Sequence, residues 1–149
     1  MATPLLPPDF KEFLSLLNSH KVEYLLIGGY AVNYYGYSRA TAAMDIWVAV
    51  HPRNAERLVA ALKAFGFDVP ALTPELFLQE DRVTRMGVPP FRADLLNTIS
   101  GVDFDECYAE RVQDTLGDVS VNIIKLGHLK ANKKASGRHK DLDDLEHLP

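Results

Sequence analysis

A single cysteine among 149 residues excludes more than its scarcity suggests. Cys107 has no partner for an internal disulfide and no CxxC neighbour for zinc, so a disulfide framework and a cysteine metal cage are both ruled out, and the thiol reads as a small apolar side chain. Long hydrophobic runs are missing too: no stretch approaches the roughly 20 apolar residues needed to cross a bilayer. Met1 to Phe10 carries prolines where a signal peptide would carry an apolar core, so the default expectation is a cytoplasmic protein with no membrane partner. Nor is there an excess of positive charge, because a formal charge of −4 argues against a basic coat for bulk nucleic-acid binding. Neither G-x-G-x-x-G nor G-x-x-x-x-G-K-S/T is present. Repeats, low-complexity tracts and linkers are absent as well.

What is there suits one globular domain spanning 1–149, with 47% apolar and 24% charged residues. The charge is unevenly spread. Between Lys125 and Lys140 stand six Lys or Arg and no acid, after which Asp141, Asp143, Asp144 and Glu146 reverse the sign. The plain reading of such a run is one or two solvated helices.

Pro4, Pro7 and Pro8 make a stiff start, and Phe10, Phe13, Leu14, Leu16 and Leu17 then recur at helical spacing with Asp9 as the expected N-cap. Val22 to Ile27 reads as a strand ended by Gly28-Gly29, and Tyr30 to Tyr37 as a helix closing around Gly36. Met44, Ile46, Val48 and Val50 alternate with Asp45, Trp47 and Ala49, which predicts a strand with one apolar face. His51-Pro52 ends it, and Asn54 is placed to cap a helix from Ala55 to Phe65 that stops at Gly66. Val83 to Met86 and Phe91 to Ile99 read as strands joined by a turn at Gly87 to Pro90. Asp103 to Arg111 predicts a helix, Val119 to Ile124 a strand, and Leu126 to Leu148 one or two helices interrupted near Gly137.

Asp45 and Asp94 sit inside apolar strand sequence, Met-Asp-Ile-Trp-Val and Ala-Asp-Leu-Leu. An unpaired buried carboxylate is costly, so each either points to solvent or meets a cation. Gly28-Gly29, coming after the first strand, lets backbone N–H groups approach a phosphate, although a plain tight turn reads the same way. Ala43 and Asp45 stand at the i, i+2 spacing that turns both side chains to one sheet face.

The stretch from Leu26 to Thr41, Leu-Ile-Gly-Gly-Tyr-Ala-Val-Asn-Tyr-Tyr-Gly-Tyr-Ser-Arg-Ala-Thr, followed by Asp45-Ile-Trp-Val, resembles the small nucleotidyltransferases of the polymerase-β-like superfamily. Their signature is GG or GS, a helix, then D-x-D on a strand, often written R-x-T-x-D-x-D. Arg92-Ala93-Asp94-Leu95-Leu96 is similar to the later strand that brings a third carboxylate to that pair. Asn132-Lys133, Gly137-Arg138 and Lys140-Asp141-Leu142 resemble the closing C-terminal helix. The resemblance implies the α+β nucleotidyltransferase fold, a mixed sheet of about four to five strands flanked by helices.

It also implies a reaction: transfer of a nucleoside monophosphate from a nucleoside triphosphate to an acceptor hydroxyl, with release of pyrophosphate. Two Mg2+ ions would be held by the carboxylates of an intact site. By the same resemblance Asp45 and Asp94 are metal ligands and catalytic residues, with Asp94 beside the acceptor hydroxyl, while Gly28, Gly29, Arg39, Thr41, Lys133, Arg138 and Lys140 are nucleotide contacts. The acceptor would be a tRNA 3′ end, a protein hydroxyl in a toxin–antitoxin partnership, or a small antibiotic. The pattern is broken at Ala43, where the family has its first aspartate. Loss of that ligand predicts retained triphosphate binding with little or no transfer.

An introduced Asp-to-Ala change and a naturally inactive relative would both read this way. A rival reading is a catalytically dead module that caps a partner protein, and a third is a purely structural domain, which requires Asp45 and Asp94 to lie far apart. The bland alternatives for single residues are a surface acid paired with Arg39 and an i, i+4 pair of Lys140 with Asp144. Asp103, Asp105 and Glu106 read as the acidic first turn of a helix.

Overall fold

Phe10, Phe13, Leu14 and Leu17 recur on one side of helix α1 (Pro8–Ser19) and are all buried, as their spacing requires. The computed structural model describes residues 6–149, so Pro4 of the proline-rich start lies outside the described residues. Asp9 does not cap α1. Pro7 occupies that position without a side-chain bond, and Asp9 falls in the first turn, where its charge faces the positive end of the helix dipole.

Strand β1 (Tyr24–Ile27), buried along its length, runs straight into α2 (Gly28–Tyr34), so the glycine pair is the first turn of a helix and not a separate bend. Strand β2 (Met44–Val48) buries Met44, Ile46 and Val48 on one face, whereas Val50 lies past the strand and is exposed. Trp47, on the other face, is covered as well. Phe104 meets it edge-on with ring centres 5.1 Å apart.

Helix α3 (Pro52–Phe65) starts earlier than Asn54 suggests, because His51 is the cap and its imidazole accepts the Asn54 N–H. The buried Asn54 amide instead accepts from the Glu23 N–H and donates to the carbonyls of Glu23 and Ala49, tying the entry of β1 to the exit of β2. Gly66, at φ 117°, ends the helix in the left-handed conformation that glycine tolerates best.

A 3-10 turn at Pro74–Leu78 leads to β3 (Val83–Met86) and β4 (Ala93–Leu96), which pair antiparallel across the expected turn. Helix α4 (Phe104–Ala109) is capped by Asp103, which accepts the Glu106 N–H, so the acidic trio is a helix start. Strands β5 (Val112–Leu116) and β6 (Val119–Ile123) form a hairpin, followed by α5 (Leu126–Ser136) and α6 (His139–His147) on either side of Gly137.

The architecture is α+β, with six helices and one six-stranded mixed sheet in the order β3-β4-β2-β1-β6-β5 among the described residues. The pairs β2/β4 and β1/β6 are parallel and the others antiparallel. The sheet has more strands than the expected four to five, since β5 carries exposed Gln113, Asp114 and Thr115 along the sheet edge. An edge strand open to water has no apolar alternation by which to read it.

Phe13, Phe65 and Phe91 lock α1, α3 and the approach to β4 together with ring centres 5.0 to 5.6 Å apart. Among the described residues no helix is long and apolar enough to cross a membrane.

Candidate functional site

Parallel pairing of β2 with β4 sets Asp45 directly beside Asp94. Neighbouring strands are about 4.8 Å apart and register partners share a face, so both carboxylates open on one side of the sheet. The row continues in each direction. Arg85 on β3 is the partner of Asp94, and Ile27 on β1 is the partner of Asp45.

Asp45 is half-buried, and burial first, then the Asp94 charge, push its pKa up against the pull of Lys140, Lys133 and Arg138. Asp94 is buried and has Arg92 at 3.3 Å and Arg85 at 3.8 Å.

The glycine pair is required by this packing. Gly28 has φ 64°, and a Cβ there would collide with the Asp45 carboxylate. A Cβ on Gly29 would strike the Thr41 side chain and come within 3.2 Å of the Arg39 guanidinium. Thr41 donates to the Ala43 carbonyl at 3.1 Å, and the Asn33 amide grips the Arg39 backbone on both its N–H and its carbonyl. The segment between α2 and β2 is therefore held against the glycines, which leaves Ala43 beside the two acids.

Two hollows meet at Asp45. One, of about 330 Å³, is bordered by Gly28, Gly29 and Thr41 on the sheet side and by Ser136, Arg138 and Lys140 on the α5–α6 side. The other, of about 400 Å³, holds Ala43, Asp94, Arg85 and Arg92. Arg39, Thr41, Asp45, Leu96, Arg138 and Lys140 belong to both. All ten residues singled out in the sequence thus line one or both hollows.

Their charges are not equally available. Lys133 is buried with its ammonium 3.1 Å from Asp141 and 2.9 Å from Asp144. Arg39 donates to both oxygens of Asp144 at 2.7 and 2.9 Å, so its partner is a buried acid of α6 and not a surface one. Asp144 is thereby occupied by Arg39 and Lys133, and it does not pair with Lys140.

Burial pushes the Asp141 carboxyl up, but bonds from Arg138, Ser136 and Lys133 outweigh it and hold the group well below the usual range. For Asp144 burial likewise raises, while Arg39 and Lys133 prevail and lower it. Arg39 and Lys133 build the wall of the site. Lys140 of α6 is the exposed cation at the opening, and Arg138, the residue before α6, borders it with its guanidinium on Asp141 at 2.8 Å.

The basic run is largely dispersed by folding. Lys125 pairs with Glu110, Lys130 donates to the Pro149 carbonyl and Lys133 is enclosed. Arg85 and Arg92 bring charge to the site that sequence reasoning had not assigned. Arg92 stood in plain view two residues before Asp94, but Arg85 reaches it only through the β3–β4 register.

The donors at Asp45 and Asp94 are all oxygen, which suits a hard divalent cation such as magnesium. Glu106, Glu110 and His128 also come within 4.8 Å of one another, where Glu110 is already engaged by His128 at 3.3 Å and Lys125 at 3.2 Å. That group borders neither hollow. No protein-family model matches the chain, and no curated protein matches it.

Proposed function

We propose that the chain is a nucleotidyltransferase scaffold of the polymerase-β-like kind, built to move a nucleoside monophosphate from an NTP to an acceptor hydroxyl, and inactive as it stands because of Ala43. The observation that carries this reading is the register pairing of Asp45 with Asp94 next to Gly28, at the meeting of two hollows. Asp94 is answered by Arg92 and Arg85, whereas Asp45, raised in pKa by burial and by Asp94, has no ion-pair partner among the described residues. Asp45 and Asp94 would hold magnesium, which when bound neutralises phosphate charge and stabilises the attacking and leaving oxygens.

The chain's own residues account for the rest. Gly28 and Gly29 border the 330 Å³ hollow at the first turn of α2, where backbone N–H groups without a helical partner are available to phosphate oxygens. Lys140 would face the triphosphate with positive charge from α6, beside Arg138, whose guanidinium also holds Asp141. As the acceptor oxygen bonds to the α-phosphorus and the bond to pyrophosphate breaks, Asp94 is the base within reach of the acceptor's proton. Ala43 borders the same hollow without offering an oxygen, so a metal held there would have one ligand fewer than the resemblance implies.

Two measurements test the reading. Titration of this protein with NTP and magnesium is expected to show binding. Ala43→Asp is expected to transfer label from an α-labelled NTP. If the titration is flat and the restored protein is silent with every nucleotide, the reading fails. The second reading, a dead nucleotidyltransferase fold that caps a partner as an antitoxin-like module, is favoured by Ala43 alone. A co-purifying protein together with no thermal shift on adding ATP and magnesium would decide for it.

A further inference from the structure

The residues facing the hollows run across three strands as Arg85, Asp94 and Asp45, and the row closes at Ile27 with Gly28 directly after it. Its two ends differ in chemistry. At the glycine end the first turn of α2 borders the 330 Å³ hollow, whereas at the arginine end two guanidiniums converge on Asp94, Arg92 at 3.3 Å and Arg85 at 3.8 Å. Lys140, which is exposed, borders the same 400 Å³ space, as does Arg138, whose guanidinium is engaged by Asp141 at 2.8 Å. Arg39 borders it too, with its charge spent on Asp144. Arg85 is 71% exposed and held only by the longer contact, so it is free to swing toward a ligand.

Phosphoryl transfer requires the attacking oxygen and the leaving pyrophosphate to lie in line through the phosphorus. If the leaving phosphates rest on the glycine end, the acceptor arrives from the opposite end, over Asp94. A neutral hydroxyl can accept only single hydrogen bonds from the guanidiniums there, whereas a phosphate matches their planar, forked donors and their charge.

The geometry points to the arginine-end hollow as the seat of the acceptor, with Arg85 and Arg92 binding a phosphate carried next to the reacting hydroxyl. This rests on the transferase reading and adds the acceptor's chemical class. Such a phosphate is supplied either by a nucleic-acid 3′ end or by a small phosphorylated alcohol.

The test is fluorescence anisotropy of a labelled single-stranded tetraribonucleotide on the protein at low salt, with competition by glycerol 3-phosphate. Binding is expected to weaken by about tenfold in Arg85→Ala and in Arg92→Ala, as befits a lost charge-assisted pair, and to be partly recovered in Arg85→Lys. Effective competition by glycerol 3-phosphate assigns the small alcohol; its failure assigns the nucleic-acid end.

Unchanged affinity in both alanine variants, no binding of either probe, or equal competition by a Glu-rich peptide overturns the proposal. The same variants are titrated with NTP and magnesium. NTP binding without arginine-dependent probe binding removes the acceptor assignment and leaves the transferase reading standing. Arginine-dependent probe binding with a flat NTP titration and a silent Ala43→Asp protein removes the transferase reading, and the acceptor role with it.

Discussion

Asp45 on β2 and Asp94 on β4 are register partners in parallel strands, and the Asp94 charge, second only to burial, holds the Asp45 carboxyl above its ordinary pKa. Like charges brought together under partial cover oppose folding, and Arg92 and Arg85 answer only the Asp94 side of the pair. The same pair thus costs the fold stability and is the candidate for binding a cation.

Asp45→Asn is expected to stabilise the protein at neutral pH. Because the folded pKa is raised, the acid favours the fold in its neutral form, fully below about pH 3.9, and loses that contribution as pH rises through the folded value. The gain from asparagine should therefore be largest near pH 7 and disappear in strong acid. Melting temperatures of the two proteins across pH measure it. Equal melting at pH 7 would remove the repulsion account.

Lys133→Met should cost about 3 kcal/mol, since it strands Asp141 and Asp144 without their shared ammonium. The pH dependence has the opposite sign to that of Asp45. Both acids are depressed in the fold, so their stabilisation is present above about pH 3.9 and lost as pH falls through the folded values. Denaturant midpoints should fall steeply in acid for the parent and less steeply for the variant.

Gly28→Ala combines a left-handed backbone with a side chain directed into the Asp45 carboxylate. The backbone term alone is about 1–2 kcal/mol. NTP affinity should fall with it, read by calorimetry under conditions where the variant remains folded by circular dichroism. A fully stable variant with parental affinity would show that the glycine is incidental.

Ala43→Asp adds a third negative charge to the hollow that holds Asp45 and Asp94. Without divalent ions its melting temperature should drop below that of the parent. Millimolar magnesium should raise it by more than it raises the parent's, because only the folded state assembles the ligands. A magnesium response no larger than the parent's would argue that position 43 does not face the ion.

Much of the site was legible from local chemistry. An aspartate within Met-Asp-Ile-Trp-Val and another within Ala-Asp-Leu-Leu are anomalies in apolar strands, and Gly28-Gly29 is a break no longer side chain could make. The charges of Arg39 and Lys133 were not readable in this way. Whether a cation meets a ligand or a carboxylate depends on Asp141 and Asp144, which belong to a helix folded back from the far end of the chain. Strand β5 was hidden because its polar residues face water, and Arg85 because its neighbour lies across a turn.

The amino-acid sequence by itself determined most of the elements and the kinds of chemistry: apolar periodicity set the helices and every strand but β5, and misplaced carboxylates marked where charge must be answered. Tertiary structure alone decided which charges are free. Pairing across strands put Arg85, Asp94 and Asp45 in one row, and the return of α6 enclosed Lys133 and engaged Arg39, because hydrogen bonds and ion pairs depend on distances that only the packed chain sets.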